Sequence, residues 1–326
     1  MAEPANGEPA SGEPANGRPA NGQPASGERT FEEGALAEAT GPLLGRCTFP
    51  PPGTRLICAV SGGPDSTALM VLAVAAGCRV TAVHVDHGLR PGSASEAGVV
   101  ADCAQRLGAG FRAERVMVAP GPNLEARARA ARRAILGPEA ATGHTADDQA
   151  ETVLLNLLRG AGVDGLSAMH AGPRHPILAL RRRETVELCS RLGIETVSDP
   201  SNRDPRHRRN RVRHELLPLC SDIAGRDVVP VLARQAALMA GDSEVLCALA
   251  QLLDPTDARA LQAGPEPVAR RALRRWLTGS GPYPPDADAV ERVLEVARGR
   301  QRATEVAGGR RVTRSAGRLS VGPAAL

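Results

Sequence analysis

The chain is predicted to be α/β: a parallel sheet covered by helices on both faces, followed by a smaller, mainly helical domain. Three observations carry this. From Arg55 onward, short runs rich in β-formers alternate with helical stretches. The first such run leads through a Gly-Gly turn straight into an apolar helix. After about Leu217 the strand signals stop and helical periodicity takes over. Repeated β-α units place strands parallel, because each crossover helix returns the chain to the same end of the sheet.

Taken in order, Arg55–Val60 reads as a buried strand, Ser61–Ser66 as a tight turn, and Thr67–Ala76 as a helix closed by Gly77. Arg79–Val85 is a second strand, and Ser93–Leu107 a helix opened by a Ser93/Glu96 capping box. Arg112–Val118 is a third strand, Leu124–Leu136 an Ala/Arg-rich helix, Ala140–Thr142 a very short fourth strand, and Ala146–Leu158 a helix. Glu184–Leu192 and Ile194–Val197 make a last helix–strand pair. Val228–Leu253, Pro267–Leu277 and Ala287–Arg298 are predicted helices, with the final segment undecided between states. Residues 3–27 are five tandem copies of a Pro-Ala-Gly unit, without large apolar groups to offset ordering entropy. The expected division is therefore a disordered tail at 1–40, an α/β domain at 50–219 and a helical domain at 220–326.

Composition narrows the function classes. With 326 residues, 42% of them apolar but only 2% aromatic, the core must be aliphatic and alanine-rich. All 40 basic residues are arginine. The net charge of +4 hides seven Glu and only two Arg within residues 1–40, so the rest of the chain is strongly cationic and suits a polyanionic partner. Seven cysteines are scattered without Cys-x-x-Cys spacing, which speaks against a zinc ribbon or an iron–sulfur site. With no signal-like segment and no apolar run long enough to span a bilayer, a cytoplasmic location is expected.

Ser61-Gly62-Gly63-Pro64-Asp65-Ser66 joins a strand to a helix, the geometry in which free first-turn N–H groups hold phosphate. It lacks the Gly-Lys-Ser/Thr ending of a hydrolysing NTPase loop. After the second strand, His84-Val85-Asp86-His87-Gly88-Leu89-Arg90 admits two readings: a metal site, or a nucleotide-facing edge with Arg90 on phosphate and Asp86 or His87 on ribose or base. Along Asn123–Arg133, Glu125, Arg129 and Arg132 share one helical face. In Thr142–Thr152, Asp148 and Glu151 lie three apart on a helix that starts beside the short fourth strand. Facing a phosphate loop, that pair suits Mg²⁺ or an ammonium group, whereas Asp147 fits simple compensation of the helix dipole. Asp199–Asp204 is turn chemistry, and Arg206–His214 carries five arginines and two histidines in nine residues, suiting backbone phosphates.

Together these blocks resemble tRNA(Ile)-lysidine synthetases of the N-type ATP pyrophosphatase (PP-loop) superfamily. The likeness runs in order from the loop through His84–Arg90, Asn123–Arg133, Thr142–Gly160, Pro176–Leu178 with Arg182 and Glu184, and Asp199–Arg213. The resemblance implies an adenine-nucleotide-alpha-hydrolase-like fold. It implies ATP and Mg²⁺, and a reaction in which free L-lysine is joined to position two of the wobble cytidine of an isoleucine tRNA with a CAU anticodon. The joining passes through an adenylated intermediate and releases AMP and pyrophosphate. Carried over by position, the ATP-binding residues are Ser61, Gly62, Gly63, Pro64, Asp65, Ser66, His87 and Arg90, and the catalytic residues Asp65, Arg132, His144, Asp148 and Glu151. Asp65 and Asp148 would hold the metal, Asp148 and Glu151 the lysine ammonium, and Arg182, Arg209, Asn210 and Arg213 the tRNA. Two departures stand out: His175 replaces an expected arginine before Pro176, weakening one phosphate contact, and the 133–142 link is short. No membrane contact is implied, and a homodimer is compatible with the pattern. The rival readings are another PP-loop tRNA-modifying enzyme such as a thiolase, disfavoured by the missing Cys-x-x-Cys pairs, and a non-catalytic nucleotide- or tRNA-binding protein.

Overall fold

Four parallel strands form the centre of the computed structural model, which describes residues 30–86, 93–116, 124–198, 204–279 and 285–323. They are β1 (Arg55–Ala59), β2 (Arg79–Asp86), β3 (Gly110–Arg115) and β4 (Ala141–Thr142), in the order β3-β2-β1-β4. β1 therefore lies between β2 and β4, and the strand order reverses at β1, opening a crevice at its carboxyl end.

The helices of this half are α1 (Glu33–Leu44), α2 (Pro64–Ala75), α3 (Ser93–Arg106), α4 (Leu124–Leu136), α5 (Ala146–Leu157), α6 (Val163–Leu166) and α7 (Arg182–Arg191). Leu56, Cys58 and Val60 alternate into one face of the sheet against α2, whose residues Ser66–Ala73 are all buried. A helix buried all round needs cover on its far side, and α1 and α7 supply it. This corrects the tail boundary: residues 33–40 form most of α1, because Phe31, Leu36 and Leu43 pack against the same core. The Arg106 guanidinium stands 4.0 Å from the Phe31 ring centroid, adding a cation–π contact to that packing.

Ile194–Val197 is not a strand. Both sides of β1 are already paired, and the segment instead runs past the phosphate loop, where the Val197 N–H donates to Gly62 O at 2.9 Å. The third strand stops at Arg115, short of the expected Val118, and residues 117 and 118 fall outside the described residues.

The second half begins with α8 (Arg208–Arg211), a π-helical turn at Val212–Leu216 and α9 (Leu217–Ala224). It continues with α10 (Val229–Gln251), α11 (Ala258–Ala263), α12 (Glu266–Gly279) and α13 (Ala287–Ala297). Its last segment, undecided from sequence, is an antiparallel sheet of β5 (Ala303–Val306), β6 (Arg310–Ser315) and β7 (Arg318–Pro323). The two-residue turn between β6 and β7 holds Ala316 at φ 50° and Gly317 at φ 77°, the paired left-handed geometry that matches strand twist. α5 belongs to both halves: Ala146, Ala150 and Leu154 pack with Val212, Leu217 and Val229, while Asp148 and Glu151 turn to Arg182 of α7.

One contact fixes how closely the sheet approaches the loop helix. A Cβ on Gly143 would lie 2.6 Å from the Asp65 carbonyl oxygen and 2.8 Å from Ser66 N, so β4 reaches α2 only because no side chain intervenes. The conflict is with backbone, which cannot swing aside. Gly143→Ala should lower stability by about 1–3 kcal/mol, read as an earlier urea midpoint. A variant as stable as the parent would show that β4 does not hold α2.

Candidate active site

The phosphate loop is closed on itself by its two serines. Ser66 Oγ accepts from Ser61 N at 3.1 Å, lies 3.1 Å from Ser61 Oγ, and donates to Gly63 O at 2.9 Å. Gly62 sits at φ +88°, where a Cβ would meet Val197 Cγ2 at 2.7 Å. Pro64 at the first helical position of α2 carries no N–H, so the amides of Asp65 and Ser66 become the first-turn donors of a helix aimed at the crevice.

Beside the loop stands a cluster of three acids and three arginines. Arg182, at the start of α7, donates Nε to Asp65 Oδ2 at 2.9 Å, Nη2 to Asp148 Oδ1 at 2.9 Å and Nη1 to Glu151 Oε1 at 3.2 Å. Arg209 donates Nε to Glu151 Oε2 at 2.6 Å and Nη2 to Asp148 Oδ1 at 3.0 Å. Arg213 donates Nε to Glu151 Oε1 at 2.6 Å and Nη2 to Oε2 at 3.1 Å. Asp148 also caps its own helix, its Oδ2 accepting from Thr145 N at 3.0 Å. The Thr185 hydroxyl donates to Asp65 Oδ1. Glu151 is 0% exposed, a buried carboxylate whose four strong contacts offset its desolvation.

The neighbourhood moves the acids apart. Burial pushes Asp148 up, but the guanidinium groups of Arg182 and Arg209 outweigh it and hold the carboxyl at about 2. Burial likewise raises Asp65, and there Arg182 and Thr185 offset it incompletely. Burial is the largest influence on His144 and lowers it to about 4, with His175, Arg209 and Arg132 acting the same way and Asp148 opposing.

Asp65, His144, Asp148 and Glu151 thus meet in one crevice, with Arg132 on α4 close enough for its charge to act on His144. The other predicted residues sit differently. Arg182, Arg209 and Arg213, read as tRNA ligands, turn inward because the buried acids need them; Arg206, His207, Arg208, Arg211 and His214 face outward from the same block. Asn210 is buried and donates Nδ2 to Asp204 O at 2.9 Å, a structural bond. His84 is buried with Nδ1 3.0 Å from Val60 O, and no metal-binding group of three occurs among the described residues. His87, Arg90 and Asn123 lie outside the described residues, as do residues 199–203 and the side chains of Glu125 and Arg129.

Sequence reasoning missed Arg181 and undervalued Asp147. Arg181 donates Nε and Nη2 to the two Asp147 oxygens at 3.0 and 3.1 Å and pairs with Asp227, while Arg182 N donates to Asp147 at 2.8 Å. Asp147 therefore anchors the residue that places Arg182. Its signal was the Arg181-Arg182-Arg183 run, which no spacing rule ties to an acid on another helix. A cleft of about 210 Å³ opens here, lined by Asp147, Glu151, Arg182, Arg213, Leu217 and Val229 among others.

Two outcomes follow from these charges. Glu151→Gln leaves three guanidinium groups facing two carboxylates and should cost about 3–5 kcal/mol, seen in urea unfolding; an unchanged midpoint would show the network to be slack. Folded His144 titrates near 4, against an ordinary value of 6.5, so the unfolded chain binds the extra proton between them. The stability this group confers is complete above pH 6.5 and is lost as pH falls toward 4, by roughly 3 kcal/mol. His144→Gln should flatten that part of the stability–pH curve; an identical slope in both proteins would refute it.

Among known proteins, the PP-loop domain model matches residues 42–220 and the TilS substrate binding domain model residues 257–320. A tRNA(Ile)-lysidine synthase of Nocardia farcinica is 43% identical over 243 residues, covering 70% of this chain and 76% of the relative. One of Thermobifida fusca is 40% identical over 275 residues, covering 76% and 84%. Another, of Salinispora arenicola, is 40% identical over 308 residues, covering 84% and 92%. With a phosphate loop meeting a buried acid pair across a parallel sheet, and a second matched domain after it, the chain belongs to the tRNA(Ile)-lysidine synthase family of PP-loop proteins.

Proposed function

We propose that the chain is the ligase that its relatives' names describe, joining free L-lysine to the wobble cytidine of an isoleucine tRNA with a CAU anticodon at the expense of ATP. The observation that carries this is the junction at Arg182, where the phosphate loop's own acid and the Asp148/Glu151 pair meet within one crevice. A thiolase reading lacks its cysteines: Cys58, Cys78, Cys103 and Cys189 are buried, and burial raises their thiols. A silent binding protein would not need three acids gathered beside its phosphate loop.

In the first step the O2 oxygen of the cytosine attacks the α-phosphorus of ATP, and pyrophosphate leaves. The amides at the α2 N-terminus, framed by Gly62 and Gly63, receive the pyrophosphate, and the hydrogen-bonded Ser61 and Ser66 keep the loop in shape for it. Asp65 and Asp148 already share one cation, Arg182, and both offer hard oxygen donors, so the pair fits Mg²⁺. Bound there, Mg²⁺ would supply charge neutralisation for the phosphate oxygens. Arg132 and His144 steady the adenylated base.

In the second step the ε-ammonium of lysine gives up a proton to water, the free amine attacks C2 of the cytosine, and AMP leaves with the oxygen while the proton displaced from the nitrogen passes to the departing phosphate or to water. The cleft beside Glu151 suits the lysine, with carboxylate at one end and Leu217 and Val229 to cover the methylene stem. Asp148, held at about 2, attracts the ammonium and is too weak a base to deprotonate it in this arrangement. Its role is capture. The outward arginines of the 206–211 block offer the RNA backbone its contacts.

The deciding experiment incubates the protein with ATP, Mg²⁺, radiolabelled lysine and unmodified CAU-anticodon isoleucine tRNA. Lysine should enter the tRNA with one AMP and one pyrophosphate released per lysine. Asp148→Asn should abolish incorporation while tRNA binding by filter retention stays within about threefold, since the residue faces the crevice. Active protein that transfers no lysine would overturn the reading, and a fully active Asp148→Asn the role.

A further inference from the structure

Beside the acid cluster, β4 ends among polar side chains of which the two steps above employ only His144. Thr142 Oγ1 lies 2.7 Å from His144 Nδ1, 2.8 Å from His175 Nδ1 and 3.2 Å from the Arg174 carbonyl oxygen. The two imidazole rings meet edge to face, with centroids 5.1 Å apart and planes at 76°. Backbone bonds hold the set together. Thr142 N donates to Arg174 O at 2.9 Å, and His175 N donates to Gly172 O at 2.9 Å, closing a tight turn before Pro176.

A threonine hydroxyl has one proton and two lone pairs. Both rings turn Nδ1 toward this single oxygen, so at most one of them accepts its proton, and any ring that does not must donate Nδ1–H. Burial lowers both His144 and His175, so each ring is neutral near pH 7 and carries one proton. The variable is the tautomer, and the two tautomers are linked through Thr142. The Arg174 carbonyl can also accept the hydroxyl proton, but it lies at 3.2 Å and already accepts from Thr142 N, whereas the ring nitrogens lie at 2.7 and 2.8 Å, so the shorter contacts place the proton between the rings. If it goes to His144 Nδ1, the single proton of His144 stands on Nε2, at the opposite edge of the ring. If it goes to His175, His144 offers a bare lone pair there, which repels a phosphoryl oxygen.

We propose that His175, acting through Thr142, is a positioning residue that holds His144 in its Nε2–H tautomer, so that His144 presents a neutral hydrogen-bond donor to the phosphoryl group transferred from ATP. The identity of that group rests on the lysidine-forming reading; the hydrogen-bond relay does not. His175 donates Nδ1–H to Thr142, Thr142 donates to His144 Nδ1, and His144 donates Nε2–H. A neutral donor also suits a place where Arg132 and Arg209 already act on the ring, since an imidazolium would add a further cation.

The test is long-range ¹⁵N–¹H NMR of the uniformly ¹⁵N-labelled full chain near pH 7, with the His144 signals assigned by their loss in His144→Gln. The parent should show His144 protonated at Nε2 and bare at Nδ1. His175→Ala should shift it toward the Nδ1–H form, and His175→Asn, whose amide N–H lies near the position of the lost Nδ1–H, should restore the parent tautomer. In the adenylation step, His175→Ala should lower kcat about tenfold with the KM for ATP within about twofold, and His175→Asn should recover it. A parent His144 protonated at Nδ1, or a tautomer indifferent to His175→Ala, would overturn the relay. Protein that shows the tautomer shift but transfers no lysine to tRNA would keep the relay and remove the reaction reading instead.

Discussion

A glutamate with no exposure to water sets the terms for this site. Glu151 projects from α5 into the crevice, and a lone carboxylate there would be neutralised or would unfold the helix. It survives because Arg182, Arg209 and Arg213 converge on it, and these also meet Asp148 and, through Arg182, Asp65. Three carboxylates against three guanidinium groups leave the cluster formally neutral. Each arginine comes from a different turn: Arg182 from α7, Arg209 from α8 and Arg213 from the π-helical turn that follows. Satisfying one buried charge therefore docks the loop helix, α5, α7 and the start of the second half onto one another. Such networks confer uniqueness of arrangement more than net stability. The π-helical turn between α8 and α9 fits this demand, since widened turns are common where a functional side chain must be aimed.

The same closure has a chemical consequence. In the arrangement described, both oxygens of Asp65 and of Asp148 already accept hydrogen bonds. Any entering cation, metal or ammonium, must exchange with a guanidinium that is itself half-buried and strongly held; burial opposes the charge on Arg182, yet the acids raise its pKa above the ordinary value. Occupancy by the chain's own arginines thus screens the acids from adventitious cations. Asp147 keeps the exchange orderly, because its bonds to Arg181 and to the Arg182 backbone fix the base of the Arg182 side chain whatever its tip contacts.

Much of this was legible in the residues. The Gly-Gly turn between an apolar strand and an apolar helix is a local pattern, and the loop formed where it was expected. The i, i+3 spacing of Asp148 and Glu151 is equally local, and it placed both acids on one face. What escaped were pairings between segments distant in the chain. Nothing near Arg209 or Arg213 says that their partners lie some sixty residues earlier, so a dense cationic run read as a surface for RNA. Helical spacing sorts that run into inward and outward sets, but only once the position of α5 is known. Ile194–Val197 failed for a related reason: β-formers in a row describe extended chain, and this segment bonds to the phosphate loop at Gly62 instead of to an edge of the sheet. The terminal sheet was hidden because arginine-rich strands carry little alternation, and only Gly308-Gly309 and Gly317, at positive φ in its two turns, marked where it bends.

Arginine-only composition bears on the site whatever produced it. Arg182 uses Nε, Nη1 and Nη2 on three different carboxylates, one on α2 and two on α5. A planar fork can divide its donors this way because their directions are fixed before any bond forms. An ammonium at the same place would be a point charge, drawn to the nearest acid and leaving at least one other carboxylate short of a donor in a buried setting. The distinction between guanidinium and ammonium is thus built into the geometry: the resident cation is of the kind that bridges, and the substrate proposed to enter carries the kind that does not. An incoming lysine that exchanges with Arg209 at the Asp148/Glu151 end satisfies that end of the cluster alone, so Asp65 and Asp148 can stay joined through Arg182 while the ammonium is captured.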